Sequence, residues 1–394
     1  MKKIFLLLIV LISISPFVKA QDTTKIYKKK IKKARKKAKR DSILNDKIVN
    51  GKIMITPFIS PGYTPELGGM LAMGGLISFK INKKDTISQR SSLPINLSYT
   101  TTGAIVFNAF LTTYLFKDRL RVNGKFYYKN MSDHYWGIGY ENGFFTPKSD
   151  STTLYTKKWW QANPQILWQP KKNYLLGINL DFNYTHGSNE AEKVANDSIY
   201  QIYNLRPYNT GIGFIFRFDS RDIPVNAYSG ILVDFGTTFY SKKLSGDNNY
   251  QIFSIDYRQY LTIKKEGRVL AWQVAGRFGM GDVPYGEMSF LGTPWNLRGY
   301  YWGQYRDKDM VFIMSEYRHT FYKKNGKASK HGFVFWIAEG KIFNTQNTGN
   351  ENNKWLPNIG IGYRLSIQPR MNIRLDFGIG RKSNGFYFNF NEAF

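Results

Sequence analysis

Residues 371–380 have the sequence MNIRLDFGIG, and this stretch decides the fold class. Every odd position holds a large apolar residue, whereas the even positions hold asparagine, arginine, aspartate and glycine. Successive side chains of a β-strand point to opposite faces, so this pattern predicts a strand with one apolar and one polar face. Its length also matches the roughly 9–11 residues with which a tilted strand crosses a bilayer.

The same period-two pattern continues through most of the chain. In residues 358–368 the apolar face carries Ile359, Ile361, Tyr363 and Leu365. Sixteen strands are predicted, at residues 68–82, 92–102, 104–116, 119–129, 134–145, 157–169, 172–185, 207–219, 230–241, 249–263, 268–282, 309–322, 332–344, 357–368, 371–381 and 385–394. Closed single-chain bacterial barrels contain an even number of strands. The sequence therefore predicts an all-β fold, a transmembrane antiparallel β-barrel of sixteen strands.

The composition supports the same interpretation. Aromatic residues make up 16% of the 394 residues, yet the mean hydropathy is only −0.39, so apolar and polar residues are finely interleaved. The chain has no cysteine, which excludes disulfide frameworks, thiolate zinc sites and cysteine nucleophiles.

The N-terminal residues have the layout of a bacterial secretory signal peptide: a basic start, an apolar run and a small-residue cleavage site after Ala20. The apolar run is shorter than the roughly 20 residues that a membrane-spanning helix needs. The predicted organisation is a signal peptide at 1–20, a basic periplasmic arm at 21–50 and a barrel at 51–394. We therefore expect the protein in the outer membrane of a Gram-negative bacterium.

The basic arm contains eleven Lys or Arg residues and no acidic residue between positions 25 and 40, in a chain of net charge +28. In a cytosolic protein such a run would suggest nucleic-acid binding, but an exported protein meets anionic phospholipid headgroups instead. We expect outer-membrane lipids as partners, together with outer-membrane or periplasmic proteins that contact the arm, and no nucleic acid. A solvated tail without a specific role is the alternative.

The connections between the predicted strands are asymmetric. With a periplasmic N-terminus, the long connections 146–156, 185–206, 283–308 and 345–356 fall on the extracellular side. Short connections such as 170–173 fall on the periplasmic side, as is typical of outer-membrane barrels.

Two features concern the closure of the barrel. Phe386, Phe388 and Phe390 alternate near the end of the chain and Phe394 is its last residue, a pattern similar to the terminal signal that outer-membrane assembly machinery reads. The strand against which this end must close begins with the glycine pair at 68–69. Because glycine weakens strand pairing, we expect a weak seam.

Three segments carry recognisable motifs. The first is a glycine-containing strand and turn at 211–224 followed by a further glycine; its marked residues are Asp219, Arg221, Asp222, Pro224 and Gly230. The second is a run inside the connection 283–308, the sixth extracellular connection in this count; its residues are Leu297, Arg298, Gly299 and Tyr300. The third is an R-x-D-x-G pattern formed by Arg374, Asp376 and Gly378.

Together these segments resemble the BamA/TamA-type superfamily of outer-membrane assembly and translocation barrels, also called the bacterial surface antigen family. The resemblance implies that the sixth extracellular loop folds back into the lumen and that Arg298 docks against acidic residues on the next two strands. The matching positions are Glu316 and Glu339, and a planar arginine fork suits carboxylates better than lysine does. Residues 21–50 are too few for one of the family's periplasmic POTRA domains, so a POTRA-less member is expected.

The resemblance implies a barrel that aids insertion or translocation of proteins or lipids at the outer membrane, through a lumen lid and a weak seam. The alternative is a passive, porin-like channel or a structural barrel, because sixteen strands enclose a water-filled bore in porins. An enzyme is not expected, since the chain has no G-x-S-x-G motif and its four histidines are scattered. His186 with Asp181 or Glu190 is the nearest approach to a hydrolase pair. We expect no catalytic residue, no cofactor and no metal ion.

Overall fold

The computed structural model of the chain describes residues 50–85, 88–344, 354–368 and 370–394, together with four single positions before residue 50. The expected signal peptide and nearly all of the basic arm lie outside the described residues, so these two assignments stay predictions. Residues Met54–Phe394 form one compact unit.

The described residues of this unit form eighteen strands, sixteen of which close into an antiparallel barrel. In chain order they are β1 (Met54–Thr64), β2 (Gly68–Phe79), β3 (Ser91–Thr100), β4 (Ile105–Thr112), β5 (Leu120–His134), β6 (Leu154–Lys171), β7 (Tyr174–Ser188), β8 (Tyr208–Asp219), β9 (Gly230–Tyr240), β10 (Tyr250–Thr262), β11 (Arg268–Gly281), β12 (Ser289–Leu291), β13 (Tyr305–Asp307), β14 (Asp309–Tyr322), β15 (Ala328–Phe343), β16 (Leu356–Gln368), β17 (Met371–Gly380) and β18 (Ser383–Phe390). Strands β12 and β13 form a separate two-stranded sheet, β11 pairs with β14, and β1 pairs with β18 to close the ring. The predicted sixteen-stranded antiparallel barrel is confirmed.

Short helices occur in two of the connections. They are α1 (Tyr140–Phe145) between β5 and β6, and α2 (Glu192–Ala195) and α3 (Ser198–Asn204) between β7 and β8. A 3-10 turn, Lys242–Leu244, follows β9. In the described part of the chain, no helix has the length and apolar character needed to cross a membrane.

One predicted strand is wrong and one observed strand was not predicted, and the two errors cancel in the count. The strand Met54–Thr64 was not predicted, because its sequence MITPFISPGYT contains two prolines, which lack the N–H group that a strand ladder uses. Conversely, the strand predicted at 134–145 is the end of β5, a loop and α1. Tyr135, Trp136 and Tyr140 in this segment are all buried. In a barrel strand, consecutive residues such as Tyr135 and Trp136 would point to opposite faces, and only one of them would be buried.

The barrel strands separate a packed interior from an apolar outer surface. On β16, Asn358 and Gly360 are buried, whereas Ile359 and Ile361 are 46% and 61% exposed. The same alternation of buried even and exposed odd residues occurs on β15. An exposed apolar wall around a polar or packed interior is the arrangement that suits lipid outside and protein inside.

The interior of the barrel is occupied by the connection 282–308 between β11 and β14, which we call the sixth loop because it is the sixth connection at its end of the barrel. Leu291, Leu297 and Tyr300 of the sixth loop are buried in one apolar cluster with Trp336 of β15. The sixth loop is therefore part of the core.

The seam between β1 and β18 is short. Strand β1 pairs with β2 along its whole length, from Met54 to Thr64, whereas it pairs with β18 at one described position, where Tyr63 lies opposite Phe388. The expected closing strand at 68–82 corresponds to β2, which lies between β1 and β3, so that prediction of the seam position is wrong. The glycine pair at 68–69 is therefore not at the seam.

Candidate functional site

The sixth loop presents Arg298 on a turn that Asn296 organises. The Oδ1 atom of Asn296 accepts hydrogen bonds from the backbone N–H groups of Gly292 (3.1 Å), Thr293 (2.7 Å) and Leu297 (2.6 Å). Asparagine stabilises turns through such local hydrogen bonds. Arg298 follows this turn and is completely buried.

Arg298 divides its guanidinium between two carboxylates of the inner wall. Its Nη1 atom donates to Oδ2 of Asp376 on β17 at 2.7 Å, and its Nη2 atom donates to Oε1 of Glu316 on β14. The ring of Trp336 on β15 lies 3.6 Å from the guanidinium carbon, a cation–π contact. A planar fork with several fixed donors can make these contacts together, whereas a lysine ammonium cannot.

The two carboxylates belong to a larger buried group, which we call the charged cluster. Its members are Arg298, Glu316, Arg318, Arg364, Arg374, Asp376 and Glu392. Arg318 binds Glu316 at 3.0 Å, and Arg364 bridges Asp376 at 2.6 Å and Glu392 at 2.8 Å. Each acid forms an ion pair with at least one arginine, so these buried charges compensate one another. Loss of one partner would leave a charge unpaired in a low-dielectric interior.

The members of the charged cluster outside the strands have perturbed ionisation. Burial alone would lower the pKa of Arg298, but the carboxylates of Glu316 and Asp376 outweigh burial and raise that pKa. Burial favours the neutral form of Glu392, yet the guanidinium groups of Arg364 and Arg318 lower the pKa of Glu392 to about 2. Both groups are therefore charged at neutral pH.

Glycines let the backbone of the sixth loop lie directly against β17. Gly299 has φ of +117°, in the region that favours glycine. A Cβ atom on Gly378 would lie 2.1 Å from the backbone oxygen of Arg298, so a larger residue would push the sixth loop away. The side-chain amide of Asn358 donates to the same backbone oxygen of Arg298.

The R-x-D-x-G pattern of β17 faces the sixth loop at each of its three marked positions. Arg374 donates from Nη2 to the backbone oxygen of Pro294 at 3.1 Å, Asp376 binds Arg298, and Gly378 leaves space for the backbone of Arg298. Tyr300 of the loop motif extends this contact beyond the end of β17, because its hydroxyl accepts a hydrogen bond from the backbone N–H group of Arg381 at 2.8 Å.

The expected pairing of Arg298 is present for Glu316 and is corrected for Glu339. The side chain of Glu339 is exposed on the outer face of β15, and Asp376 supplies the second carboxylate. On β15 the inward residues are the even-numbered ones, such as Trp336, and the outward residues are also mostly apolar. Because both faces look alike in sequence, the alternation does not reveal that Glu339 points outward.

The sequence did not indicate that four further side chains belong to the charged cluster. These members are Arg318, Arg364, Arg374 and Glu392. A signal for two of them was present, because Arg364 and Arg374 occupy the polar face of strands whose other face is apolar. Arg318 shares the inward face of β14 with the apolar residues Phe312 and Met314, so alternation does not mark it. Glu392 lies beyond β18, so no strand pattern places it.

The strand-turn motif forms a structured turn between β8 and β9. Arg221 binds Asp219 at 2.8 Å and donates to the backbone oxygen of Pro224 at 3.2 Å, and Gly230 begins β9. These contacts lie apart from the charged cluster. They hold the turn in one conformation.

The remaining marked residue of that motif, Asp222, joins two turns at the same end of the barrel. Arg370, between β16 and β17, binds Asp222 at 2.9 Å, and its guanidinium carbon lies 3.3 Å from the centre of the Tyr228 ring. It also donates to the backbone oxygen of Asn226 at 2.8 Å. The motif therefore ties the β8–β9 turn to the β16–β17 turn.

The predicted terminal stripe divides into two parts. Phe386 is exposed on the outer face of β18, and Phe388 and Phe390 are partly exposed. The strand ends at Phe390 instead of the predicted 394, and Asn391 has φ of +63°. Phe394 is buried inside, where its backbone oxygen accepts a hydrogen bond from Arg318 at 2.8 Å. Phe394 therefore does not share the outer face.

His186, the histidine considered as a hydrolase residue, has a different hydrogen-bond partner from the two acids considered with it. The Nδ1 atom of His186 is 3.4 Å from the backbone oxygen of Asn204. Asp181 instead accepts hydrogen bonds from neighbouring amide side chains, and Glu190 accepts one from the hydroxyl of Tyr200. The described residues include no group of three or more side chains placed to hold a metal ion.

The closed barrel, with a buried loop whose arginine is held by wall carboxylates, defines a class of β-barrel membrane proteins with an occupied interior. Within that class, the family model described as Omp85 superfamily domain matches residues 80–394, and the chain belongs to this superfamily. No curated protein matches the chain in sequence.

Solved structures with the same fold are distant in sequence. BamA from Haemophilus ducreyi lacking POTRA domains 1–3 is 14% identical, with a TM-score of 0.58 and coverage of 86% of this chain and 69% of that one. CdiB from Acinetobacter baumannii is 12% identical, with a TM-score of 0.53 and coverage of 86% and 59%. CdiB from Escherichia coli is 8% identical, with a TM-score of 0.55 and coverage of 85% and 67%. The chain thus spans about three fifths to two thirds of the length of these structures.

Proposed function

We propose that the chain aids the insertion or translocation of proteins, or of lipids, at the outer membrane of a Gram-negative bacterium. The observation that supports this most directly is that Arg298 fixes the sixth loop inside the barrel through Asp376 and Glu316. An interior occupied by a fixed loop is poorly suited to free passage of solutes. Membership of the Omp85 superfamily supports the same assignment.

The seam offers a place where a client strand could add to the barrel. Unpaired N–H and C=O groups at a strand edge pair readily with another strand. Strand β18 pairs fully with β17 but meets β1 at the position of Tyr63 and Phe388. We propose that clients engage this edge before they leave sideways into the lipid.

The sixth loop and the seam are linked through one tyrosine of β18. The backbone N–H of Gly299 donates to the hydroxyl of Tyr387 at 2.9 Å, and Tyr387 is completely buried. In the β17–β18 ladder Tyr387 lies opposite Asp376, the partner of Arg298. Release of Arg298 would therefore loosen the strand that forms the seam.

A passive channel is the second candidate, and a specific feature of the lumen favours it. The inward side of β6 and β7 carries a stripe of amide and carboxylate side chains, namely Gln161, Asn163, Gln165, Asn179 and Asp181. A polar wall suits water and small solutes. We propose no enzymatic activity. We expect lipids to surround the outer face of the barrel.

Depletion of the protein in its host tests the two candidates. Outer-membrane proteins and lipids would be quantified by mass spectrometry after depletion, with rescue by the wild type, Arg298→Ala or the outward control Glu339→Gln. We expect depletion to cause selective loss of other outer-membrane proteins or of a lipid class. The wild type and Glu339→Gln should restore the lost components, whereas Arg298→Ala should restore them poorly. An unchanged membrane composition, with a large steady conductance of the purified barrel, would establish the channel instead.

A further inference from the structure

A second site lies on the opposite side of the sixth loop from Arg298. A cavity of about 420 Å³ separates the loop from the inner wall of β5 and β6. Its loop side includes Phe290 and Trp302, and its wall side includes Lys129, Lys157 and Trp159. No member of the charged cluster lines it. The cavity is therefore distinct from the site that holds Arg298.

The two lysines of this wall lie close together. In the β5–β6 ladder Lys129 is opposite Trp159, and Lys157 is opposite Met131, which makes the two lysines diagonal neighbours. Such positions are about 7–8 Å apart along the sheet. Both side chains belong to the inward set, so their ammonium groups enter the same cavity.

Within the described residues, these lysines differ from three arginines of the same lumen in having no ion-pair partner. Arg217, Arg258 and Arg277 each form an ion pair with a carboxylate, at 2.6, 2.5 and 3.4 Å respectively. In the part of the chain that the structure describes, no ion pair joins Lys129 or Lys157 to a carboxylate. An ammonium group inside a lumen without a direct ion-pair partner is costly unless an anion approaches it.

The acids that line the cavity already have partners. Glu287 binds Arg277 at 3.4 Å. Asp133 accepts hydrogen bonds from the backbone N–H of His134 at 2.9 Å and from the hydroxyl of Tyr155 at 3.5 Å. With three cations and two carboxylates around it, the cavity has an excess of positive charge.

Two indole rings hold the ammonium group of Lys129 in place. Its Nζ atom lies 4.3 Å from the centre of the Trp302 ring and 5.1 Å from that of Trp159. Trp302 is itself fixed, because its backbone N–H donates to Glu66 at 3.1 Å. Cation–π contacts orient an ammonium group without neutralising its charge, so Lys129 remains available to an anion.

We propose that this cavity binds a phosphate group, either free or on the headgroup of a lipid, between the ammonium groups of Lys129 and Lys157. Two lysines that line one cavity match a multiply charged anion, since ammonium groups bind phosphate as point charges. The rings of Trp159, Trp302 and Phe290 provide an apolar surface beside the cations for the organic part of a phosphate ester. This site is independent of the proposed role in insertion or translocation.

Calorimetry on the full chain, purified in a phosphate-free nonionic detergent, tests the proposal. The probes are inorganic phosphate and glycerol 3-phosphate, and the test variant is Lys129→Gln with Lys157→Gln. Lys158→Gln is the matched control, because Lys158 follows Lys157 in β6 but is exposed on the outer face. Heat-modifiable migration on gels verifies that every variant is folded, and Lys129→Met with Lys157→Met replaces the test variant should that fail.

We expect the wild type to bind at least one of the two probes. The affinity for that probe should fall tenfold or more in the double variant and stay within twofold of the wild type in Lys158→Gln. Equal affinities for the two probes assign the free anion, whereas tighter binding of the glycerol ester, lost in Trp302→Ala, assigns a headgroup. Absence of binding by either probe, or equal binding by the wild type and a folded double variant, would overturn the proposal.

Discussion

Replacement of Arg298 by alanine should release the sixth loop from the barrel wall. The substitution removes the ion pairs with Asp376, at 2.7 Å, and with Glu316, and the contact with the Trp336 ring at 3.6 Å. The two carboxylates do not become isolated. Glu316 keeps its ion pair with Arg318 at 3.0 Å, and Asp376 keeps its ion pair with Arg364 at 2.6 Å.

The size of the effect follows from this partial compensation. Removal of one partner from a buried ion pair costs about 3–5 kcal/mol, and the remaining arginines place this case at the lower end, about 3 kcal/mol. Since 1.4 kcal/mol corresponds to a factor of ten, the equilibrium for loop opening should rise roughly a hundredfold.

Hydrogen–deuterium exchange of the purified barrel measures this opening. Slowly exchanging amides in residues 282–308 should exchange roughly a hundredfold faster in Arg298→Ala. Arg298→Lys should give an intermediate rate, because lysine keeps the charge but not the planar fork. Arg217→Ala is a matched control, since Arg217 pairs with Asp234 of the neighbouring strand at 2.6 Å.

Coupling within the charged cluster provides a second check on the same reasoning. Glu316→Gln with Asp376→Asn should accelerate exchange by itself and add little to Arg298→Ala, because the three side chains form one network. The outward Glu339→Gln should leave exchange unchanged. A less than twofold change in Arg298→Ala, or full additivity of the substitutions, would refute the docking of the sixth loop by Arg298.

Three further predictions concern Gly378, Glu287 and the basic arm. Gly378→Ala should raise the conductance of the purified barrel in planar bilayers, because its methyl group would lie 2.1 Å from the backbone oxygen of Arg298; a conductance equal to that of the wild type would contradict the contact. Burial raises the pKa of Glu287 to about 7. Sulfate binding to the lumen cavity should therefore weaken as this acid ionises near pH 7, and Glu287→Gln should reduce this weakening. The charged or titratable groups around this acid are Arg277, Lys157, Asp181, Tyr240 and Tyr250. Deletion of the basic arm should reduce salt-sensitive binding to phosphatidylglycerol vesicles, at up to about 1 kcal/mol per basic residue; identical binding by the deleted and intact proteins would make the arm a solvated tail.

The fold was predictable from the sequence wherever one face of a strand meets lipid and the other meets polar side chains. Strand β17 is such a case, since its arginine and aspartate face inward and its large apolar residues face outward. Strand β1 was not predictable, because its prolines conceal the pattern. Its ladder with β18 is short, so the loss of N–H donors there costs few hydrogen bonds.

The site was predictable in part, for a related reason. Arg298 stands in a recognisable motif, and the family resemblance indicated Glu316 as its partner. Alternation alone would not have placed Glu316, because the inward face of β14 also carries the buried apolar residues Phe312 and Met314. Glu339 was misassigned because the inward face of β15 is apolar, as it packs beneath the sixth loop around Trp336. Contacts that cross the lumen, such as that between Arg298 and Asp376, depend on how the sixth loop folds and no local pattern encodes them.

A disulfide across the seam tests the proposed function most directly. The chain has no cysteine, so Tyr63→Cys with Phe388→Cys introduces one defined pair at the position where β1 faces β18. Directly opposite residues of antiparallel strands are about 4.5–5.5 Å apart between Cα atoms, within the range of a disulfide. Ser60→Cys with Ala72→Cys, opposite each other in the β1–β2 ladder, is the matched control.

The measurement is the outer-membrane proteome of cells depleted of the wild type and supplied with each variant, before and after a reductant. Insertion or translocation through the seam predicts that the locked seam fails to restore client proteins until the reductant opens it. The β1–β2 control should restore them under both conditions. A locked seam that restores the same proteins as the wild type, without reductant, would contradict the account.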